Sequence, residues 1–350
     1  MDLSGGQLQL EETAAKEASP GKPTTKKFSP CIQTALDACK SDSAAKEIIL
    51  NICLTYILQT AKGDDEAVKI AENDALAVYA SFFWIDFLPA NPSTDSWKLI
   101  ESLFLGSREQ YYHWLQLLYR ATDVYINNKH GSRVLALSGS SPEGYGCRAP
   151  PIVWAAALGL KPIVERLIAR GDDVNEAGAA KVNALYMAVH EIRQDILELL
   201  LEHGGDVSHD FPEDVSSTYG SLTWRSPMYH AARWGKYELL EILLRDNSKY
   251  GRPGWVLEVA MMHAAESNHA TCLRYLLDAG ANINITGIGS KHRYSISPDG
   301  GSALQKAAWE HNMETFKLLL DAGADVNVRG GLYETALQAA AERGRRYVHL

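Results

Sequence analysis

Two independent series of residues run in step through the second half of the chain. Gly171, Gly204, Asn247, Gly280 and Gly323 each follow a leucine-rich segment, at intervals of 33, 43, 33 and 43 residues. Gly159, Ile192, Gly235, Asn268, His311 and Gly344 follow alanine-rich segments in the same rhythm. A unit of about 33 residues is one supersecondary element that cannot bury its own apolar face, so such units must stack. Subtraction locates the longer intervals: Gly171 to Ile192 and Asn247 to Asn268 are 21 positions, whereas Gly204 to Gly235 and Gly280 to His311 are 31. The additional residues therefore precede the third and fifth units, in an acidic, aromatic SHDFPEDVSSTYGSLTWR and a basic, Gly-rich NITGIGSKHRYSISPDGG. Insertions of this kind project from one side of a stack, as binding elements or as tolerated loops.

Each unit reads as a helix pair. Ala155-Ala156, Ala231-Ala232, Ala264-Ala265, Ala307-Ala308 and Ala340-Ala341 are small enough for neighbouring inner helices to approach closely. Leu167-Ile168, Leu200-Leu201, Leu243-Leu244, Leu276-Leu277 and Leu319-Leu320 then form the interior of the outer helices. A residue closing a helix commonly adopts the left-handed conformation, which Gly and Asn tolerate and a β-branched residue does not. Ile192 therefore predicts an altered inner turn in the second unit.

Segments such as PIVWAAALGLKPIVERLIARGDDVN and ALQKAAWEHNMETFKLLLDAGADVN resemble the ankyrin repeat family. The resemblance covers residues 149–350. It implies an all-α solenoid of about six units, the last truncated within TALQAAAERGRRYVHL, where a frayed end or a longer gene is expected. The family's Thr-Pro start is poorly kept, with Pro only at Ser226-Pro227 and Pro150-Pro151. The resemblance further implies a concave surface of turn tips and inner-helix faces that binds a protein partner. Carried over by register, the tips are Val182, Arg225, Glu258 and Glu334. The inner-helix positions add His190, Glu191, Arg233, Trp234, Glu266, Ser267, Trp309, Glu310, Glu342 and Arg343. The partner-binding set expected from these is His190, Glu191, Arg225, Arg233, Trp234, Glu266, Trp309 and Glu310. Exposed Trp beside Arg is the usual composition of a binding hot spot. For Trp234 and Trp309 two placements stay open: facing solvent, or packed away, sideways on the neighbouring repeat or beneath an inserted loop. Trp154, one position earlier, is expected beneath the preceding helices.

Those helices occupy residues 29–130, after a polar tail at 1–28 that cannot bury enough apolar area to fold and before a linker at 131–148. Ile48, Ile49, Ile52, Cys53, Tyr56 and Ile57 form one stripe at helical spacing, and Leu76, Tyr79, Phe83 and Phe87 form another that ends at Pro89. Trp97, Ile100, Leu103 and Phe104 follow capping candidates at Thr94 to Ser96, and Ser107-Arg108-Glu109-Gln110 reads as a capping box. Cys53-Leu54-Thr55-Tyr56-Ile57, Tyr79-Ala80 with Trp84, and Trp114-Leu115 resemble the helical stretch that joins nucleotidase module to ankyrin array in fungal NACHT-ankyrin receptor-like proteins. That resemblance implies the sensing end of a signalling ATPase whose catalytic part is not in this chain, since no G-x-x-x-x-G-K-[ST] loop is present.

No catalytic or metal constellation stands out, and no cofactor is expected. His190-Glu191-Ile192-Arg193-Gln194 begins like a zinc-protease helix but lacks the second His, and the five cysteines include no Cys-x-x-Cys pair. His263 and His269 read as a repeat-capping or surface pair. A net charge of −9 argues against nucleic acid, and no run approaches the roughly 18 apolar residues of a membrane span. The expectation is a cytoplasmic, non-enzymatic binding protein.

Overall fold

The computed structural model describes residues 42–60, 75–125, 149–178, 182–207, 226–245, 255–286, 301–331 and 333–348, and all regular structure among them is helical. The tail at 1–28, the linker at 131–148, the whole first insertion with Arg225, and residues 287–300 of the second lie outside the described residues. Among the described residues no helix is long and apolar enough to cross a membrane.

Four helices precede the array: α1 (Ser43–Thr60), α2 (Ala75–Phe83), α3 (Thr94–Leu105) and α4 (Arg108–Tyr125), with a 3₁₀ turn at Trp84–Phe87 after α2. Ser93, just before the expected caps, closes the N-terminus of α3 by accepting the Ser96 N–H. Glu47 of α1 ties into the same corner, accepting the Ser93 N–H at 2.6 Å and the Ser96 hydroxyl at 2.8 Å. Hydrogen bonds from the Ser93 side chain and backbone, and then from Ser96, hold the Glu47 carboxyl below its usual range. The Ser107 hydroxyl accepts the Gln110 N–H at 3.2 Å, which supplies one half of the expected capping box.

The repeat units follow as inner and outer helices. The inner helices are α5 (Pro151–Leu158), α7 (Ala184–His190), α9 (Pro227–Arg233), α11 (Trp255–Glu266), α13 (Ala303–Trp309) and α15 (Ala336–Val348). The outer helices are α6 (Lys161–Arg170), α8 (Gln194–Glu202), α10 (Tyr237–Arg245), α12 (Ala270–Asp278) and α14 (Met313–Asp321). The alanine pairs of the first, third, fourth and fifth units are buried between inner helices, and Leu167, Leu200, Leu243, Leu276 and Leu319 are buried under the outer ones, whereas Ala341 and Leu320 are exposed. Asparagines at the ends of the outer turns join successive units: Asn175 donates to Gly204 O and accepts from Asp206 N–H, and Asn284 accepts from Asp325 N–H.

The inner turns are uniform, which corrects the altered turn expected at Ile192. Arg193 N–H donates to Ala188 O at 2.7 Å just as Lys236, His269 and Asn312 donate to Ala231, Ala264 and Ala307. Ile192 takes φ 56°, beside 60° at Asn268 and 57° at His311. Holding a β-branched residue there costs on the order of 1–2 kcal/mol. The turn keeps its form because stacked units on both sides dictate it. Gly344 departs the other way: α15 runs through it, so it closes nothing, and residues 336–348 form one continuous inner helix of the sixth unit.

One apolar core runs from α1 into the repeats without a break. Trp114 of α4 is its joint, with Trp84, Phe104, Tyr111 and Trp154 rings all within 5.9 Å of its centroid and its indole N–H donating to Ser81 O. Tyr111 donates to Ala149 O, Arg170 to Leu105 O, and Arg166 pairs with Glu101 at 2.6 Å. Trp154 is buried under these helices, as its position predicts.

Candidate functional site

The inner-helix residues one turn apart and one repeat apart form a ladder on one face. At the last turn of α7, His190 Nδ1 lies 3.0 Å from Glu191 Oε1. The His190 ring meets Trp234 of the next unit at 5.0 Å, edge to face. Beneath them, His230 packs between Tyr186 at 4.8 Å and Trp234 at 4.5 Å. The ladder continues through Tyr229, whose ring is 5.0 Å from His230 and 4.4 Å from His263 of the fourth unit. Trp234 remains 37% exposed at the centre of this cluster. Its supports come from residues four positions earlier on two helices, Tyr186 below His190 and His230 below Trp234, the spacing that places side chains on one helical face.

Charge alternates along the same face. His263 Nδ1 sits 3.0 Å from Glu266 Oε2. Burial works against ionising Glu266, yet the hydrogen bond with His263 and the nearby Lys306 and Arg233 cations keep its carboxyl below the usual range. Burial likewise holds the His263 imidazole below its ordinary value, against the pull of Glu266. The pair is a neutral imidazole against a carboxylate at neutral pH. Arg233 lies over the Tyr229 ring at 6.0 Å, and burial raises that phenol to about 12.

Trp309 occupies the same register two units on and is placed differently. Its ring stacks on Tyr333 at 4.4 Å with 15° between planes, and the Arg343 guanidinium lies 5.1 Å from its centroid. Arg343 in turn pairs with Glu310 at 3.5 Å. Trp309 is packed sideways, Trp234 is open, and the two placements left open by the sequence are divided between them. Of the expected tips, Glu334 is exposed, but Val182 is buried and Glu258 lies within α11, whose inner helix begins earlier than the others. There Glu258 Oε1 accepts the Asn282 N–H at 3.2 Å, a structural role.

Residues that reading the register alone passes over are Tyr186, Tyr229, His230 and Tyr333. The first three were legible as the positions one helical turn before His190, Arg233 and Trp234. Tyr333 lies in a turn whose direction no periodicity specifies. His263 and His269 do not form a pair: the first packs on Tyr229, and the second covers Gly235, where an added Cβ would come within 2.5 Å of its ring. Among the described residues no three His, Cys, Asp or Glu side chains gather as a metal site.

The fold and this face define a solenoid of stacked helix pairs with a continuous inner-helix surface. Its sequence matches the family model for ankyrin repeats (3 copies) over residues 152–253, 213–287 and 258–330, together just over half of the chain. The chain belongs to the ankyrin repeat family. Among solved structures it is similar to the ankyrin repeat domain of human ASB11, at 25% identity over 55% of this chain and 77% of that one, with a TM-score of 0.43. It is also similar to the ankyrin repeat domain of Bcl-3, described as a unique member of the IkappaB protein family, at 20% identity over 55% and 80%, with a TM-score of 0.45.

Proposed function

We propose that the chain is a non-catalytic, cytoplasmic binding protein that holds a partner protein against the inner-helix face of units two to five. The observation that carries this reading is Trp234, a large aromatic left open to solvent while His190, His230 and Tyr186 fix its surroundings from two helices. A rigid, partly exposed Trp bordered by cationic and acidic groups is the composition of an interface anchor. His190 touches it and Glu191 pairs with His190, Arg233, Glu266 and Glu310 continue the polar row along the face, and Arg225 belongs to the same proposed set. Trp309 contributes its edge and the shape of the face. The free thiols of Cys53 and Cys272 are buried, and burial raises them to about 12 and 11, which suits neither nucleophile nor ligand. A reducing compartment accords with them. The partner is a protein rather than a nucleic acid, because the cations Arg233 and Arg343 on this face sit beside acids or over rings. Partner capture by tagged protein should be lost in Trp234→Ala with the melting temperature retained. Undiminished capture by that variant would remove the assignment.

A second reading assigns the chain to the sensing end of a NACHT-type ATPase. The aromatic pattern of α1 to α4 favours it, and so does the rigid seating of α4 on the first repeat through Trp114 and Trp154, which would transmit partner binding to an attached module. A P-loop domain encoded in frame upstream would support this reading, and a stop codon immediately upstream would exclude it.

A further inference from the structure

The stack has two edges: the connections between units at one end of the helices, and the inner turns that join inner to outer helix at the other. The inner turns of units one to five share one hydrogen-bond pattern. In it, the residue after each closing position lies against the closing position of the preceding unit. Arg193 covers Gly159, where an added Cβ would fall 2.8 Å from its guanidinium carbon, and His269 covers Gly235 in the same way. Asn312 keeps this register by donating to Ala265 O and Glu266 O, just before Asn268. The same step places Lys236 against Ile192 and brings the start of α10 alongside it.

At units two and three this edge is apolar. Ile192 is 52% exposed and Tyr237 is 42% exposed, and Trp234, the residue before Gly235, opens beside them. Stacked units lie on both sides of this patch. Ile192 is also the β-branched residue held at φ 56°. Packing could offset that strain at a buried position, but this side chain faces solvent, so the fold gains nothing from it that Asn would not supply. Backbone strain kept at a surface position points to a use outside the fold.

Charge indicates what the patch accepts. Arg166, Arg170, Arg245 and Arg343 each meet a carboxylate. Arg193 and Lys236, which flank Ile192, form no ion pair among the described residues, and the Arg193 Nε is buried without a hydrogen-bond partner. Of the acids nearby, Glu191 is held by His190 and Glu238 by the Tyr237 hydroxyl, which leaves Asp195 against two cations.

We propose that an acidic, apolar segment of a partner protein docks on this inner-turn edge, with its apolar side chains on Ile192, Trp234 and Tyr237 and its carboxylates on Arg193 and Lys236. The inference rests on the protein-binding reading above and adds to it the partner's chemistry and its path over the rim of units two and three.

Selection of phage-displayed random peptides on the whole chain tests this. Clones that combine Asp or Glu with large apolar residues should dominate, and synthetic peptides of the leading clones should bind about tenfold more weakly to Lys236→Glu, Arg193→Gln and Tyr237→Ala. Their affinity should also fall with added salt. Ile192→Asn separates binding from folding: asparagine accepts the left-handed backbone, so the melting temperature should rise while peptide affinity falls. Where Arg193→Gln disturbs the end of α5, Lys236→Glu carries the charge test. Selection of basic clones, or of none, overturns the proposal, and so does an affinity unchanged by Ile192→Asn and Lys236→Glu. Clones lost with Trp234→Ala but indifferent to those two variants would keep the binding face and remove this edge. Clones indifferent to all three would remove both.

Discussion

The first and last repeats both present an alanine-rich inner helix, and they meet different neighbours. At α5, Trp154 is covered by Trp114, and the carbonyl of Ala149 is taken by Tyr111. At α15, Leu337 and the adjoining Met313 and Val326 face solvent. The terminal unit of a solenoid has one interface fewer than an internal unit, and a nearest-neighbour stack has no distant contacts to compensate. The four preceding helices supply that interface to the first unit. They extend the core rather than form a second one.

Substitutions can break or sharpen this contrast, beginning with the covered end. Trp114→Ala removes the ring on which four aromatic groups converge, and a loss of about 3–5 kcal/mol is expected in urea unfolding, with hydrogen-exchange protection falling in α5 as well as α4. Protection lost in α4 alone would show that the helices merely rest on the array. Trp309→Ala comes next, because its stacking on Tyr333 and its contact with Arg343 together contribute about 1–3 kcal/mol beyond apolar burial. That cost would mark the fifth unit as the last fully packed one, and no measurable loss would extend the open end inward.

Midway between the ends, His263 gives a dependence on pH. Burial keeps it neutral in the folded chain where the unfolded chain, near the ordinary value of roughly 6.5, already takes up a proton. Stability is therefore complete above that value and falls as the pH drops below it toward the folded one. His263→Gln should flatten the melting temperature across this window, while an unchanged slope would locate the titration elsewhere. Ile192→Gly should raise stability by about 0.5–1 kcal/mol by relieving the left-handed isoleucine. Leu337→Asp, at a residue 81% exposed and the smallest effect, should stay within about 0.5 kcal/mol, in contrast to the large loss at Trp114.

Much of the architecture was legible in the residues. The closing positions Gly159, Gly235, Asn268 and His311 do take positive φ, and so do Gly171, Gly204, Gly280 and Gly323. Two failures are instructive. Ile192 shows that a neighbouring pair of stacked turns can override the local preference of a β-branched residue. Gly344 shows that a glycine in register does not end a helix. The candidate face was legible as a row of positions but not as a site, since the same register holds Trp234, 37% exposed, and Trp309, half-buried against Tyr333.

The sequence by itself determined the repeat length, the helix pairs, the inner and outer faces and the place of each insertion, because these follow from spacing along one chain and the 3.6-residue turn. Only the tertiary structure decided which tryptophan stays more open and how the preceding helices cover the first unit. Those outcomes depend on side chains delivered by other units, such as Tyr333 onto Trp309 and Trp114 onto Trp154, and exposure is a property of neighbours in space rather than of position in a repeat.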